Sequence, residues 1–98
     1  MYLYVINFVG NITPELMPIV LRINGYRFWF YEADLNEPPH VHIGKGDKQA
    51  KYWLAPISCA RSKHFREHEL NEIETIIITY KETILQAWQN EKKKHGNR

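Results

Sequence analysis

Residues 18–31, PIVLRINGYRFWFY, decide the fold. Asn24-Gly25 is the strongest short-range hairpin signal, because its turn needs a positive φ at both central positions and Asn and Gly tolerate it. PIVLRI over 18–23 reads as the outgoing strand and YRFWFY over 26–31 as the return. Side chains alternate along a strand, so Tyr26, Phe28 and Phe30 share one face while Arg27, Trp29 and Tyr31 share the other. Aromatics on both faces require cover on both sides, or one face kept for a partner.

The rest of the chain is placed outward from this hairpin. Residues 32–39 (EADLNEPP) form a loop with three acidic groups and two prolines, and 40–44 (HVHIG) a third strand. Lys45-Gly46-Asp47-Lys48 supplies turn chemistry, with Gly44 and Gly46 as turn residues. Residues 49–54 (QAKYWL) make a fourth strand that Pro56 ends, and 57–65 is irregular or briefly extended. Upstream, residues 1–9 alternate loosely enough for an edge strand, before a break at Gly10, Asn11 and Pro14. Downstream, Leu70, Ile73, Ile76, Ile77, Tyr80, Ile84, Leu85 and Trp88 recur with helical spacing. Glu67, Glu69, Glu72 and Glu74 crowd the first turns and Lys92, Lys93 and Lys94 follow the end, the polarity a helix dipole favours. Ile78 lies off the stripe. The expected fold is α+β: an antiparallel four- or five-stranded meander with one C-terminal helix packed on a face. Residues 1–16 are expected as an N-terminal extension (an edge strand or disordered), 17–90 as a single domain, and 91–98 as a basic disordered tail.

Composition agrees with one small globular domain. The chain has 98 residues, 44% hydrophobic and 24% charged, so it can hold one modest core. No run approaches the roughly 20 apolar residues of a membrane span, so no membrane partner is expected. A single cysteine, Cys59, excludes an internal disulfide and a multi-thiolate zinc site within one chain, and fits a reducing cytosol. With no signal peptide read at the start, a cytoplasmic location is expected. Cys59 itself is expected to be a buried small hydrophobe. The net charge is +2, but residues 45–66 carry six Lys/Arg against Asp47 alone, whereas 67–90 carry five Glu against one Lys. A local basic stretch points to an anionic partner; the alternative is an exposed basic loop with no partner.

His40 and His42 are the sharpest chemical feature. Two apart on a strand, both imidazoles face the same way, which suits a metal ion or an acid–base pair acting on a phosphodiester. The alternative is two half-buried sheet residues hydrogen-bonded to the Asp34 loop. A metal would need further ligands, with Asp34 the first candidate and Glu32, Glu37, His64 and His68 near in sequence. His64 and His68, four apart, would pair if their segment is helical. Lys45, Lys48 and Lys51 flank the histidine strand, and Arg61, Lys63 and Arg66 lead into the helix. Lys51 and Trp53 share a strand face; cations beside an indole suit single-stranded nucleic acid, where phosphates meet charge and bases stack. Core packing is the plainer role for Trp53.

Four motifs in order, MP-x-VLRI, YRFWFY, PPHVHI and AKYWLAP, followed by the amphipathic helix, resemble a family of small bacterial proteins catalogued as domain of unknown function 4160. The resemblance spans about residues 17–89. Leu35 and Asn71 stand where relatives often carry polar or basic residues; neither change touches His40 or His42. Such proteins usually open at the methionine of the first motif, here Met17. They are often encoded beside another small protein, in an arrangement that looks like a toxin–antitoxin pair.

Three functional readings follow. The first is an interaction module in a toxin–antitoxin-like two-gene system, binding a small partner protein or a second copy of itself, with nucleic acid as a further ligand. The second is a metal-independent nuclease-like enzyme with His40 and His42 as acid and base and Lys45, Lys48, Lys51 and Trp53 holding the phosphate-bearing substrate. The third is a metal-binding protein holding a divalent ion such as zinc through His40, His42 and Asp34. No cofactor is favoured by the first two, and the sequence leaves open whether the protein is an enzyme.

Overall fold

A computed structural model describes residues 2–5 and 16–95. Six strands follow one another in an antiparallel meander: β1 (Tyr2–Val5), β2 (Leu16–Ile23), β3 (Tyr26–Tyr31), β4 (His40–Lys45), β5 (Lys48–Leu54) and β6 (Ile57–Lys63). Two helices close the chain, α1 (Glu67–Thr79) and α2 (Lys81–His95). The fold is the α+β meander with C-terminal helical cover that the alternation implies. It has one strand more than the upper expectation of five and one helix more than the single one expected.

The hairpin forms as its sequence requires, with Asn24 at φ 54° and Gly25 at φ 84°. Tyr26, Phe28 and Phe30 are fully buried on one face, where Val41, Ile43, Tyr52 and Leu54 from the next strands join them. Ile73, Ile76, Ile77, Ile84, Ala87 and Trp88 of the helices complete this single core. Each large side chain buried there contributes about 2 kcal/mol from removal of its apolar surface from water. Val20 and Leu21, adjacent in β2, are both buried. A bulge explains this: Ile19 pairs with Trp29 and Leu21 with Phe28, so Val20 is an extra residue.

Several local expectations change. Of the edge strand expected over 1–9, Tyr2–Val5 forms and pairs with β2; the break at 10–14 lies outside the described residues. The loop 32–39 contains a 3-10 turn at Glu32–Asn36. Residues 57–63 are a full strand, with an extra residue, Ala60, opposite the step from Lys51 to Tyr52. This strand is an edge of the sheet and is exposed along nearly all its length, so Cys59, expected to be buried, is exposed. The expected single helix breaks at Tyr80 (φ −108°, ψ 21°). Thr75 and Thr79 donate their hydroxyls to the carbonyls of Asn71 and Thr75, a back-bonding that bends helices just ahead of the break. Residues 91–95, expected in a disordered tail, continue α2; Glu91 is buried and Lys92 Nζ donates to the Leu35 carbonyl at 2.9 Å. Residues 96–98 lie outside the described residues.

Candidate ligand cleft and histidine–aspartate cluster

The sheet face turned away from the helices carries the chemistry. Antiparallel pairing sets Trp29 opposite His42, His42 opposite Lys51, and Lys51 opposite Arg61. Opposed residues share a face, so these four side chains form a row across four strands. A cleft of about 440 Å³ opens over this row, lined by Trp29, Tyr31, His42, Lys51, Arg61 and Lys63 among others. Its size lies within the range of small-molecule sites. Among the described residues no carboxylate lines it.

The aromatic wall is held by mutual contact. The His42 ring stacks against Trp29 with centroids 5.9 Å apart and meets Tyr31 edge-on at 4.8 Å. Arg27 lies over the Trp29 ring at 5.7 Å. Gly44 makes room for this arrangement: a Cβ there would stand 2.9 Å from Arg27 Nη2 and 3.0 Å from two Trp29 ring carbons. It is therefore a strand residue whose missing side chain lets the indole lie close to β4, rather than the expected turn residue. Gly46, at φ 61°, does serve the turn.

Beside the cleft lies a compact polar cluster. The 3-10 turn carries Asp34, whose Oδ2 accepts the Tyr31 backbone N–H at 2.8 Å. The same oxygen is 2.8 Å from His42 Nε2. An ionised carboxylate only accepts, so His42 Nε2 carries the hydrogen. His40 is fully buried, packed against Trp53 and Trp88 with centroids 5.4 Å away in each case. Its Nδ1 lies 3.0 Å from the Pro38 carbonyl, which also only accepts, so Nδ1 carries the hydrogen there. His40 Nε2 then points toward Asp34 Oδ1 at 3.2 Å without hydrogen-bond alignment. Burial alone raises the Asp34 pKa; the adjoining His40 and His42 rings and the Tyr31 N–H outweigh it and hold the carboxyl well below the usual range.

The predicted site residues divide cleanly. His40, His42 and Asp34 come together, their ligand atoms all within 4.8 Å of one another. Lys51 joins them, lying 4.6 Å over the Trp53 ring and 3.6 Å from Glu37. Trp53 is half-buried on the histidine face, not in the core. Lys45 and Lys48 go elsewhere. Lys45 Nζ sits 4.6 Å over the Tyr26 ring, and Lys48 pairs with Glu69 at 2.7 Å. Lys48 and the Arg66 N–H hold the Glu69 carboxyl below its ordinary pKa. His64, at φ 71°, precedes α1, so it forms no helical pair with His68. Arg61, Lys63 and Tyr31 belong to the cleft and were not assigned to it from sequence; a strand over 57–63 would have placed the two cations there.

This fold and site define a small sheet-and-helix protein with a basic, aromatic cleft on its open sheet face and a buried His–His–Asp cluster beside it. The chain belongs to the family described as domain of unknown function (DUF4160), whose model matches residues 25–89. That span includes strands β3 to β6, the cluster and every cleft residue named above. No curated protein and no solved structure matches the chain. Among the described residues, no helix is long and apolar enough to cross a membrane.

Proposed function

We propose that this protein binds single-stranded nucleic acid across the cleft, as the nucleic-acid-binding member of a toxin–antitoxin-like two-gene system. The carrying observation is the cleft itself: Lys51, Arg61 and Lys63 beside Trp29 and Tyr31, with no lining carboxylate among the described residues. Phosphates meet the cations while bases stack on the rings. The two-gene setting rests on the family resemblance. An apolar protein-docking face draws less support, because Ile78 is the large apolar side chain left exposed among the described residues, and one exposed isoleucine is ordinary.

Fluorescence anisotropy with labelled single-stranded RNA and DNA tests this reading. Charge reversal of Lys51, Arg61 and Lys63 together should weaken binding at least about ten-fold. The log–log salt slope of the wild type should be about −2, from three phosphate contacts at roughly 0.7 each. A wild type that binds neither oligonucleotide at low salt overturns the proposal.

A nuclease-like reading keeps one observation. Asp34 holds His42 at 2.8 Å, as a carboxylate orients a general base. His40 is not its acid partner at the substrate, being fully buried. Cleavage would depend on His42 alone, and RNA left intact by wild-type protein removes this reading.

A further inference from the structure

His40 carries a buried nitrogen whose surroundings call for a positive charge. The Pro38 carbonyl fixes the ring hydrogen on Nδ1, so the neutral ring has a bare lone pair at Nε2. Nε2 lies 3.2 Å from the carboxylate Oδ1 of Asp34, off hydrogen-bond alignment, and has no hydrogen-bond partner among the described residues. Two acceptors held together in a buried site repel unless a cation stands between them. His42 adds a third donor, all three ligand atoms lying within 4.8 Å of one another.

We infer that Asp34, His40 and His42 bind a first-row divalent cation of the zinc type. Two imidazoles and a carboxylate suit such ions, whereas calcium and magnesium favour all-oxygen shells. Zinc–ligand bonds of about 2.0–2.2 Å put tetrahedral donors roughly 3.3 Å apart. The His40–Asp34 separation, 3.2 Å, is close to that value; His42 must move its ring hydrogen from Nε2 to Nδ1, give up its hydrogen bond to Oδ2 and swing Nε2 onto the ion. The Tyr31 N–H remains on Oδ2, leaving Oδ1 for the metal. The Pro38 carbonyl on the far side of His40 is the outer-shell contact that ligating histidines ordinarily show, fixing tautomer and ring angle. Three protein donors leave a coordination position, and His42, as a cleft-lining residue, places it on the cleft side for water or an anionic ligand.

The inference stands apart from strand binding, and its test contains no nucleic acid. Protein stripped of metal by a chelator is titrated with zinc by calorimetry and by thermal unfolding. One equivalent should bind, and at a hundred-fold excess over Kd the melting temperature should rise by on the order of 10 °C. Cobalt in place of zinc should give a visible ligand-field band. Asp34→Asn and His42→Ala should each weaken binding at least about ten-fold and lose that band, while the His64→Ala/His68→Ala variant matches the wild type. His40→Ala is avoided because that ring is wholly buried. A wild type without zinc stabilisation or a cobalt band overturns the inference. Binding that survives in both cluster variants, or that falls in the His64/His68 variant, overturns it as well.

Discussion

Alanine at position 44 would bring a methyl group within 2.9 Å of Arg27 Nη2 and 3.0 Å of the Trp29 ring, so the indole must move. The backbone of Gly44 does not need a positive φ, so the strand itself can persist. Gly44→Ala should therefore keep the fold by circular dichroism while shifting tryptophan emission and weakening oligonucleotide binding about five-fold or more, since each stacked base contributes roughly 1–3 kcal/mol. Unchanged affinity would remove Trp29 from the binding surface. The same residue-level geometry shows what sequence could reveal. The pairing of His40 with His42 was legible because strand alternation has a period of two. That alternation also separates Lys45 and Lys48, which share the helix-side parity of Ile43 and Ala50, from Lys51; the turn between them obscured the parity. Asp34 is brought to the histidines by a 3-10 turn whose course no periodicity encodes.

At the scale of elements, strand β3 and helix α1 are tied by one polar contact, the Tyr26 hydroxyl donating to Glu72 Oε1 at 2.8 Å. Burial first, and this hydrogen bond second, push the Tyr26 phenol up to about 12 from 10.0. A raised phenol pKa means that the folded state favours the neutral form. Its contribution is complete below about pH 10 and is lost as pH rises from 10 toward 12. Tyr26→Phe should cost about 1 kcal/mol at neutral pH and flatten the fall in stability over that alkaline window, read by urea unfolding at stepped pH. Tyr52, raised likewise by burial and by Cys59, retains part of the slope. An alkaline slope equal to that of wild type would deny the contact its role. Elements also differed in legibility. The hairpin and the helical stripe declare themselves through turn chemistry and apolar spacing. Strand β6, ISCARSK, is exposed along nearly all its length, so burial leaves no pattern on it. The break at Tyr80 hides because Tyr80 N–H still reaches Ile76 and Ile84 N–H still reaches Tyr80, keeping the apolar stripe almost in phase.

At the scale of the whole molecule, the exposed carboxylates and the cations of the cleft lie on different sides of the sheet. The helices carry the exposed carboxylates Glu67, Glu72, Glu74 and Glu82 behind the sheet, while Arg61, Lys63 and Lys51 border the cleft in front. With a Debye length of about 10 Å at 0.1 M salt, the two sides are largely screened from each other, so an anionic strand meets the basic face locally. The radius of gyration, 12.9 Å, is that of one compact body of this length, so both sides belong to one folding unit. The charge division was visible in the sequence as a basic stretch followed by an acidic one; its meaning required knowing that the sheet lies between them.

The contact of Lys92 with the Leu35 carbonyl joins the end of the chain to the short turn that carries Asp34. Residue 92 lies past the family match, which stops at 89. The border of shared sequence thus falls one turn of helix short of a latch on the turn that carries Asp34. A chain ended after Gln89 should keep its sheet and core, yet exchange the amide hydrogens of residues 31–36 faster than the full chain does. Equal exchange would mean that the turn holds itself. Two proteins alike in cleft and cluster could then differ in how firmly the carboxylate is presented, through a few residues that comparison of their shared region would never include.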